Sequence, residues 1–409
     1  MKCRHCGAEV NLTLIDLGSA PPSNAYLTKL TMRRPEKWFP LKVRVCESCW
    51  LVQAEAYSRA AELFNDEYAY FSSFSAMWLV HAEHYVSVMV ERFGLSSDSN
   101  VVEVASNDGY LLQYVKRRGI PCLGIEPTAS TASAARLKGI ETLEEFFGVG
   151  LAKKMVDQGR QADLMVANNV LAHVPDINDF VRGCALLLKP QGAVTFEFPH
   201  LMQLIEHKQF DTIYHEHFSY LSFSTVCQVF NANGLSVFDV EELGTHGGSL
   251  RVFAQRTDAG KHPVSEKVTK LLDREAAAGM NRTGYYQGFQ AQADKVKNDF
   301  LAFLLEAKRQ GKAVAAYGAA AKGNTLLNYA GIRPDLLPYV VDKNPNKQGK
   351  YLPGSRIPIV AQAHLRDKRP DYVVILPWNL KTEIIEQLSY IRDWGGVFVT
   401  VIPAMRIVK

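Results

Sequence analysis

Long apolar runs are missing from this sequence of 409 residues. No stretch approaches the roughly 18 consecutive apolar residues that a membrane-spanning helix needs. The opening residues, Met1 to Gly7, are polar and do not resemble a secretory signal. We therefore expect a cytoplasmic protein with no membrane partner.

A strong net charge is missing as well. The 46 lysines and arginines against 42 aspartates and glutamates give a formal net charge of +4. So small an excess neither requires nor excludes nucleic acid as a partner. A basic cluster between residues 29 and 44 has the charge to contact phosphate, whether of RNA or of a sugar nucleotide, but a solvated surface explains it better. The cluster consists of Lys29, Arg33, Arg34, Lys37, Lys42 and Arg44.

The cysteine pattern argues against disulfides. Seven cysteines are an odd number in a large chain without an export signal, which favours free thiols and metal binding. Four of them form two Cys-x-x-Cys pairs, Cys3 with Cys6 and Cys46 with Cys49. Each pair can form a tight knuckle, so that four thiolates surround one structural Zn(II) tetrahedrally. A redox role is less favoured, because neither pair opens a helix in a βαβ unit.

A strand, a tight turn and a helix start follow one another from Val101 onwards. The apolar residues end in Ala105-Ser-Asn-Asp-Gly109, and helical apolar spacing begins at Tyr110. In a parallel sheet this arrangement binds a nucleotide-like cofactor at the carboxyl edge of the strands. Glu126 ends the next apolar run and can accept both ribose hydroxyls. An ordinary strand-to-helix turn remains an alternative, and these residues alone do not separate a dinucleotide from S-adenosylmethionine.

Strands and helices continue to alternate to about residue 255, which predicts a mostly parallel, buried sheet. Asn168 and Asn169 follow one of its strands, and Asn169 is suited to hold the amino-acid end of S-adenosylmethionine. The predicted strands are 101–104, 123–126, 164–167, 193–198, 235–240 and 250–254, with a turn at 188–192. The candidate cofactor-binding residues are Glu103, Ala105, Asn107, Gly109, Glu126, Asn168 and Asn169.

The C-terminal part predicts a second, shorter α/β lobe from residue 311. Residues 262–310 before it have helical periodicity, interrupted near 279–288, and are most simply a packing link between two lobes. The small-residue turn Gly318–Asn324 opens a helix whose first amides suit an anionic diphosphate. Close packing of that helix on its sheet would explain the same small residues.

Tyr214-His-Glu-His217 is the densest group of titratable residues, and it follows the strand that carries Glu197. A histidine near its unperturbed pKa is suited to remove a carbon-bound proton, and a carboxylate or tyrosine can orient it or bind an oxyanion. For His215 a polar loop that satisfies itself is the better explanation. A metal site at His-x-His ranks lower, because the cysteines already account for a zinc. His173 caps or packs as readily as it faces a cofactor.

Taken together, these motifs resemble a family of S-adenosylmethionine-dependent sugar C-methyltransferases that act on nucleotide-linked 4-keto-deoxysugars. The resemblance covers nearly the whole chain, and the order and spacing of the motifs carry it. They are the two cysteine pairs, Leu17-Gly to Ser23-Asn24, Glu103 to Gly109, Tyr214 to His217, His246-Gly-Gly, Tyr317 to Lys322, and Leu376-Pro-Trp-Asn379.

The resemblance implies an α/β fold with a small zinc-binding N-terminal domain, a central class I methyltransferase (Rossmann-like) domain and a C-terminal Rossmann-like domain. The expected bounds are 1–70, 71–260 and 311–409, with a helical linker at 261–310. The cofactors implied are S-adenosylmethionine and a structural zinc. A nucleotide-linked 4-keto sugar would bind between the last two domains, with no nucleic acid as partner. A monomer is expected, and a dimer remains open.

The resemblance also implies roles for single residues. His217 would be the general base, with Tyr214, Glu216 and Tyr68 beside it, and the carbon next to the ketone, most simply C3, would be methylated. The family usually has glycine at the position of Ala105, and the extra methyl is tolerable if that residue keeps a negative φ. The candidate substrate-binding residues are Asn24, His173, His246, Gly247, Lys322 and Asn324.

Two other functions compete. An RNA base methyltransferase would use the cysteine pairs and the basic cluster to hold nucleic acid, but it leaves the C-terminal lobe without a use. A nucleotide-binding oxidoreductase would use both α/β lobes. Against it, neither turn has the Gly-x-Gly-x-x-Gly pattern.

Overall fold

The N-terminal lobe is built on a small antiparallel sheet. The computed structural model describes residues 1–57 and 71–408. On the middle strand Leu41, Val43 and Val45 are buried while their neighbours are partly or fully exposed, so one face of the sheet packs inward. The strands are β1 (Leu12–Ala20), β2 (Phe39–Val45) and β3 (Val52–Ala54).

The central lobe is a seven-stranded sheet flanked by helices, in the order β10-β11-β8-β7-β4-β5-β6. Strands β4 to β8 pair in parallel, and β10 and β11 complete the sheet as an antiparallel hairpin. The strands are β4 (Val101–Val104), β5 (Cys122–Ile125), β6 (Thr142–Leu143), β7 (Ala162–Asn168), β8 (Leu188–Pro199), β9 (Ser219–Tyr220), β10 (Leu235–Leu243) and β11 (Ser249–Arg256). The helices are α1 (Ala76–Phe93), α2 (Leu112–Arg117), α3 (Ala129–Leu137), α4 (Val149–Asp157), α5 (Ile177–Leu187), α6 (Leu201–Glu206) and α7 (Phe223–Ala232).

The predicted parallel core of this sheet is confirmed, and two details differ. Residues 188–192 are not a turn but the first part of β8, where Leu188 already pairs with Ala162 across a register shift. Strand β6 escaped sequence reasoning because two residues are too few to show an apolar pattern. Strand β9 leaves the central sheet altogether and pairs with β3 of the N-terminal sheet.

Two long helices connect the central lobe to the C-terminal lobe, as the interrupted helical pattern predicts. The C-terminal sheet has the order β14-β13-β12-β15-β16-β17 and is parallel except for its last strand. The helices are α8 (Glu266–Ala278), α9 (Thr283–Tyr286), α10 (Phe289–Arg309), α11 (Ala321–Tyr329), α12 (Ala363–Lys368) and α13 (Lys381–Gln387). The strands are β12 (Val314–Tyr317), β13 (Val340–Val341), β14 (Ile359–Val360), β15 (Tyr372–Ile375), β16 (Val397–Thr400) and β17 (Arg406–Val408).

Both parallel sheets reverse their strand order once. In the central sheet the chain runs outward from β4 through β5 to β6, then returns to the other side of β4 with β7. In the C-terminal sheet β12, β13 and β14 run outward, and β15 returns beside β12. Such a reversal opens a crevice at the carboxyl ends of the two strands concerned, which is where ligands bind in α/β folds.

One apolar cluster joins the N-terminal and C-terminal lobes. Ile15 and Val43 of the small sheet share it with Phe289 and Phe300 of α10 and with Leu327 of α11. The N-terminal sheet is therefore packed against the rest of the protein. In the residues that the structure describes, no helix is long and apolar enough to cross a membrane.

Candidate active site

The two crevices open into one cavity of about 620 Å³, a volume typical of ligand sites. We call it the interlobe cavity, because residues of all three lobes line it. Asn24 comes from the N-terminal lobe, Asn107 and His217 from the central lobe, and Lys322 and Lys347 from the C-terminal lobe. Residues far apart in the sequence thus share one enclosed space.

The turn after β4 has the backbone of a ligand-binding turn. Ala105, Asn107 and Gly109 all have positive φ, at 57°, 50° and 73°, and Ala105 and Asn107 line the cavity. The condition under which the extra methyl of Ala105 was expected to be tolerable, a negative φ, is therefore not met. The left-handed conformation costs a non-glycine residue about 1–2 kcal/mol, so the surrounding turn must hold Ala105 in it.

Glu126 follows β5 and is fixed by the turn. Its Oε2 accepts a hydrogen bond from the Asn107 amide and its Oε1 one from the Thr128 amide, both at 3.0 Å. Burial raises the pKa of Glu126, and these hydrogen bonds oppose the rise. Each oxygen has a second lone pair, and the side chain lines the cavity. The carboxylate is therefore held by the turn at the wall of the cavity.

Asn168 and Asn169 lie at the carboxyl end of β7, and both line the cavity. Asn169 has φ 53°, and its amide donates to the Glu197 carbonyl at 2.6 Å. The side-chain oxygens of both asparagines are buried and accept no hydrogen bond from the residues described. Buried acceptors without a partner are costly, and an ammonium or hydroxyl donor of a bound S-adenosylmethionine would satisfy them. The residues present thus fit this cofactor.

Glu103 and Gly109 lie behind the cavity wall. Glu103 is 1% exposed within β4, and burial raises its pKa well above the ordinary value, although a hydrogen bond with Tyr110 opposes the rise. A side chain at Gly109 would come within 3.2 Å of Ile140 and 3.4 Å of Ala135. Both residues therefore pack beneath the turn and do not line the cavity.

His217 lies in the cavity wall with its tautomer fixed. Its Nδ1 donates to the Thr212 carbonyl at 2.8 Å, so Nε2 is the unprotonated nitrogen of the neutral ring. Burial, with His173 nearby, lowers its pKa well below the ordinary value. The expectation of a nearly unperturbed histidine is therefore wrong, because the ring is enclosed. The Tyr214 and His173 rings lie with their centroids 4.0 and 4.6 Å away from its own.

Glu216 is a buried carboxyl that faces the same cavity. Both of its oxygens accept from the Asn24 side-chain amide, at 2.9 and 2.8 Å. Burial raises the pKa of Glu216 to about 7, against the hydrogen bond from Asn24, which lowers it. This group therefore changes its protonation state in the range where enzymes work.

The neighbouring histidines differ in their surroundings. His173 donates from Nδ1 to the Glu216 carbonyl at 2.8 Å, and burial lowers its pKa to about 4. His246 lines the cavity with its ring 5.2 Å from that of Trp78, and burial lowers its pKa to about 4. His215 donates from Nε2 to the carbonyls of residues 39 and 40 on β2, and its buried Nδ1 has no hydrogen bond among the residues described, so its partners lie outside its own loop.

Lys322 brings a half-buried cation to the cavity. Its Nζ donates to Asn379 Oδ1 at 2.7 Å and lies 4.5 Å above the Trp378 ring. Among the residues described, no carboxylate lies within the 4.0 Å of an ion pair with it. Partial burial lowers its pKa, and the charge of Asp211 opposes this. A partly desolvated cation with no paired anion suits an anionic ligand.

The glycine-rich turns near Lys322 serve close packing. A Cβ at Gly318 would lie 2.5 Å from Pro377, and one at Gly247 would lie 2.4 Å from Trp378. Asn324 is 1% exposed, accepts from the Asn328 side chain and does not line the cavity, and neither does Gly247. Close packing against Pro377 therefore explains the glycine at position 318. The first turn of α11, at residues 320–322, still faces the cavity.

Trp78 and Lys347 are among the lining residues that the sequence did not single out. Trp78 on α1 stacks between His81 and Tyr110, with ring centroids 4.8 and 5.9 Å away. Lys347 donates to the Ala319 carbonyl at 2.8 Å beside the start of α11. An aromatic residue on an amphipathic helix and a lysine in a loop carry no signal of their own. Tyr68, the remaining candidate for the catalytic group, lies outside the described residues.

The four predicted zinc ligands converge at the other end of the N-terminal lobe. Their sulfurs all lie within 4.8 Å of one another, with Cys3 to Cys49 and Cys6 to Cys46 at 3.5 Å. Tetrahedral Zn–S bonds of about 2.3 Å place sulfurs about 3.8 Å apart, so the four thiols fit this ion. The hydrogen bond from Cys49 lowers the pKa of Cys3 to about 4 and raises that of Cys49.

Comparison with known families divides the chain into three consecutive matches. They are a putative zinc binding domain over residues 3–64, a methyltransferase domain over 78–240 and a C-methyltransferase C-terminal domain over 244–403. The C-methyltransferase NovU of Streptomyces niveus is 34% identical over 408 residues, which is 100% of this chain and 97% of that protein.

Other likenesses are confined to part of the chain. A ubiquinone biosynthesis O-methyltransferase of Bordetella avium is 32% identical over 108 residues, 26% of this chain and 45% of that protein. The crystal structure of magnesium protoporphyrin IX methyltransferase from Synechocystis with bound S-adenosylmethionine is 15% identical, with a TM-score of 0.34, and covers 44% of this chain and 79% of that one. The full-length relative and the three consecutive domain matches decide the assignment: this chain belongs to the family of S-adenosylmethionine-dependent C-methyltransferases that carry an N-terminal zinc-binding domain.

Proposed function

We propose that this C-methyltransferase acts on a nucleotide-linked 4-keto-deoxysugar and methylates the carbon next to the ketone, C3. The observation that carries the proposal is the position of His217. Its unprotonated Nε2 belongs to a cavity that has a cofactor turn on one side and the half-buried cation Lys322 on the other. A carbon acid, a methyl donor and an anionic group of the substrate are then all accommodated in one cavity.

The cofactor side of the cavity would hold S-adenosylmethionine. Glu126 accepts the ribose hydroxyls, and the orphaned oxygens of Asn168 and Asn169 accept from the amino-acid end. Bound there, the cofactor supplies a methyl group on a sulfonium, a ready electrophile for a carbon nucleophile. The left-handed turn at Ala105 and Asn107 lets the backbone approach the ligand closely.

The substrate side would hold the nucleotide. The diphosphate carries negative charge, and Lys322 is a half-buried cation at the first turn of α11. No side chain caps this helix start, so its amides add to the attraction for an anion. Lys347 adds a second cation beside the same turn. The sugar would then extend towards Asn24, His173 and His246 in the middle of the cavity.

The chemistry follows from the ketone. A 4-keto group acidifies the hydrogen on C3, and His217 Nε2 removes it as a proton. Burial lowers the pKa of His217, which favours the neutral ring and so leaves Nε2 able to take up the proton. The C3–H electron pair becomes the carbon–carbon double bond of an enolate, as the carbonyl pair moves onto the ketone oxygen. S-adenosylmethionine held by Glu126, Asn168 and Asn169 would supply the methyl group that the enolate carbon takes up, and its sulfur would keep the electron pair of the bond that breaks. Holding the two carbons in near-attack geometry and stabilising the enolate oxygen supply the rate.

The alternatives find less support. An RNA base methyltransferase gives the C-terminal half of the cavity no role, although that half supplies the cation Lys322. The oxidoreductase alternative is not favoured by the family assignment.

A mass-spectrometric test separates the substrate from the chemistry. The protein is incubated with S-adenosylmethionine and a panel of nucleotide-linked 4-keto sugars, in light and in deuterated water. We expect one methyl to be added to a 4-keto sugar, and we expect deuterium to enter C3 even without the cofactor. Methylation without exchange would contradict the enolate, and no methylation across the panel would contradict the sugar assignment.

A further inference from the structure

The strand that follows His217 belongs to the sheet of the zinc-binding lobe. We call Tyr214–Tyr220 the catalytic segment. Its last residues form β9, where Ser219 pairs with Gln53 and Tyr220 with Val52 on β3. The Ala54 amide adds a hydrogen bond to the Phe218 carbonyl at 3.0 Å. The catalytic segment is thus the fourth strand of a sheet whose third strand begins just after the Cys46–Cys49 knuckle.

Gln53 connects this ladder directly to a cysteine ligand. Its side chain is fully buried, and its Nε2 donates to Cys3 Sγ at 3.3 Å. Its Oε1 accepts from the Arg4 amide at 3.0 Å, between the two cysteines of the first pair. One residue therefore joins the sulfur cluster through its side chain and Ser219 through its backbone.

Arg4 makes a second connection. Its Nη1 donates to the Phe218 carbonyl at 3.2 Å, and the guanidinium carbon lies 5.4 Å from the centre of the Phe218 ring. The side chain that emerges between Cys3 and Cys6 thus ends on the residue next to His217. The Phe218 carbonyl therefore accepts hydrogen bonds from both the Arg4 side chain and the Ala54 amide.

The zinc-binding lobe also holds the residues around the segment. Asn24 donates to Glu216, and Thr225 Oγ1 at the start of α7 donates to the Cys49 carbonyl at 3.2 Å. Strands β3 and β9 have three and two residues, and pairings this short have little stability of their own. The other side of β3 pairs with β2, and the Cys46–Cys49 knuckle is the connection between these two strands, so it constrains the strand to which β9 is added. The Phe218 amide also donates to the Ala172 carbonyl of the central lobe at 2.8 Å.

We propose that the four-cysteine centre positions the catalytic segment, and that Gln53 and Arg4 are the positioning residues that connect the two. This inference rests on the proposed function for the roles of His217 and Glu216. The hydrogen bonds that fix Glu126, by contrast, come from Asn107 and Thr128 within the central lobe. The cofactor side is expected to keep its geometry when the segment loosens.

The test compares Gln53→Leu and Arg4→Met with the unaltered full-length protein, each with zinc bound. Neither change removes a cysteine, and metal analysis should give the same zinc content as the unaltered protein. We expect the amides of residues 217–220 to exchange hydrogen about tenfold faster in hydrogen-exchange mass spectrometry. We expect kcat to fall at least tenfold, while the Kd for S-adenosylmethionine stays within about twofold. Arg4→Lys, which keeps a cation and a donor, should recover part of kcat.

Arg33→Met is the matched control, because Arg33 is an exposed arginine of the same lobe. It should change neither exchange nor turnover. Unchanged exchange in both Gln53→Leu and Arg4→Met, with zinc retained, would overturn the inference. Faster exchange with normal kcat would overturn it too. A failure of the proposed function shows separately, as full activity of His217→Asn, whatever the exchange data are.

Discussion

The carboxyl edges of the two parallel sheets are built alike and present opposite chemistry. After β5, Glu126 accepts the amide of Asn107 in the neighbouring turn and the amide two residues ahead of itself. After β13, Asp342 does the same, with Ala319 in the neighbouring turn and with Asn344, both at 2.8 Å. Both sheets also reverse their strand order at the corresponding place. A shared scaffold is evident in structure although the sequences show no convincing repeat.

The difference lies in what reaches the interlobe cavity. On the central edge the acid Glu126 and two orphaned amide oxygens line it, so this edge accepts hydrogen bonds. On the C-terminal edge Asp342 does not line it, and the cations Lys322 and Lys347 do. One turn design thus presents acceptors to the cavity on one edge and cations on the other. His217 stands between the two edges.

The largest expected effect comes from the residue between the edges. His217→Asn should lower kcat by about 100-fold or more, because general base catalysis typically contributes 10²–10⁴-fold. The cofactor edge is untouched, so S-adenosylmethionine should bind within about twofold of normal. Turnover is followed by mass spectrometry and binding by calorimetry. His84→Asn, at an exposed histidine, is the control. Near-normal turnover of His217→Asn would remove it from the base role.

Next in size is a reciprocal pair of changes, one on each edge. Lys322→Met should weaken nucleotide-sugar binding about 10- to 100-fold and leave S-adenosylmethionine binding unchanged. Glu126→Gln should weaken S-adenosylmethionine binding by the same factor and leave nucleotide-sugar binding unchanged. The loss corresponds to the roughly 1.5–3 kcal/mol of a hydrogen bond to a charged group. Titration calorimetry with each ligand alone measures both.

Exposed residues of the same lobes provide the controls for that pair. Lys312→Met removes a surface lysine that pairs with Asp371, and Glu144→Gln removes a surface acid that pairs with Arg136. Neither should alter either Kd. If Lys322→Met and Glu126→Gln weakened the binding of the same ligand, the assignment of one ligand to each edge would be wrong.

A smaller effect concerns pH. Because the pKa of Glu216 is raised to about 7, the carboxyl gains a proton as the pH falls through 7. One oxygen then becomes a donor and cannot accept from Asn24, so we expect kcat/KM to fall below pH 7. Asn24→Ala removes the hydrogen bond that lowers this pKa, so the fall in kcat/KM should move to higher pH. A profile that is flat through pH 7 in the unaltered enzyme would exclude Glu216 from the reaction.

The smallest effect tests the strained turn. Ala105→Gly should raise the free energy of unfolding by less than about 1 kcal/mol, because it relieves the left-handed strain but frees the unfolded chain. Ala291→Gly on the exposed face of α10 is the matched control and should lower it by about 1 kcal/mol. Thermal unfolding of both variants measures these changes in the free energy of unfolding. Destabilisation of equal size in the two would mean that the turn imposes no strain on Ala105.

The sequence predicted the framework well where the signal is local. Apolar runs marked the long buried strands, and Cys-x-x-Cys spacing marked the four thiols that converge. Short strands such as β6, β14 and β17 gave too little pattern to be seen. The pKa of His217 was misjudged, because burial depends on neighbours that come from several elements.

The sequence by itself determined the family, the three-part α/β organisation and the two cofactors, since motif order and spacing carry these. Only the tertiary structure decided which atoms meet. It placed Asn24 on Glu216, directed Nδ1 of His217 to Thr212, and left Lys322 without a carboxylate partner among the residues described. It also made the catalytic segment a strand of the zinc-binding lobe. The physical reason is that such contacts join residues distant in the chain, and packing of the whole fold selects them.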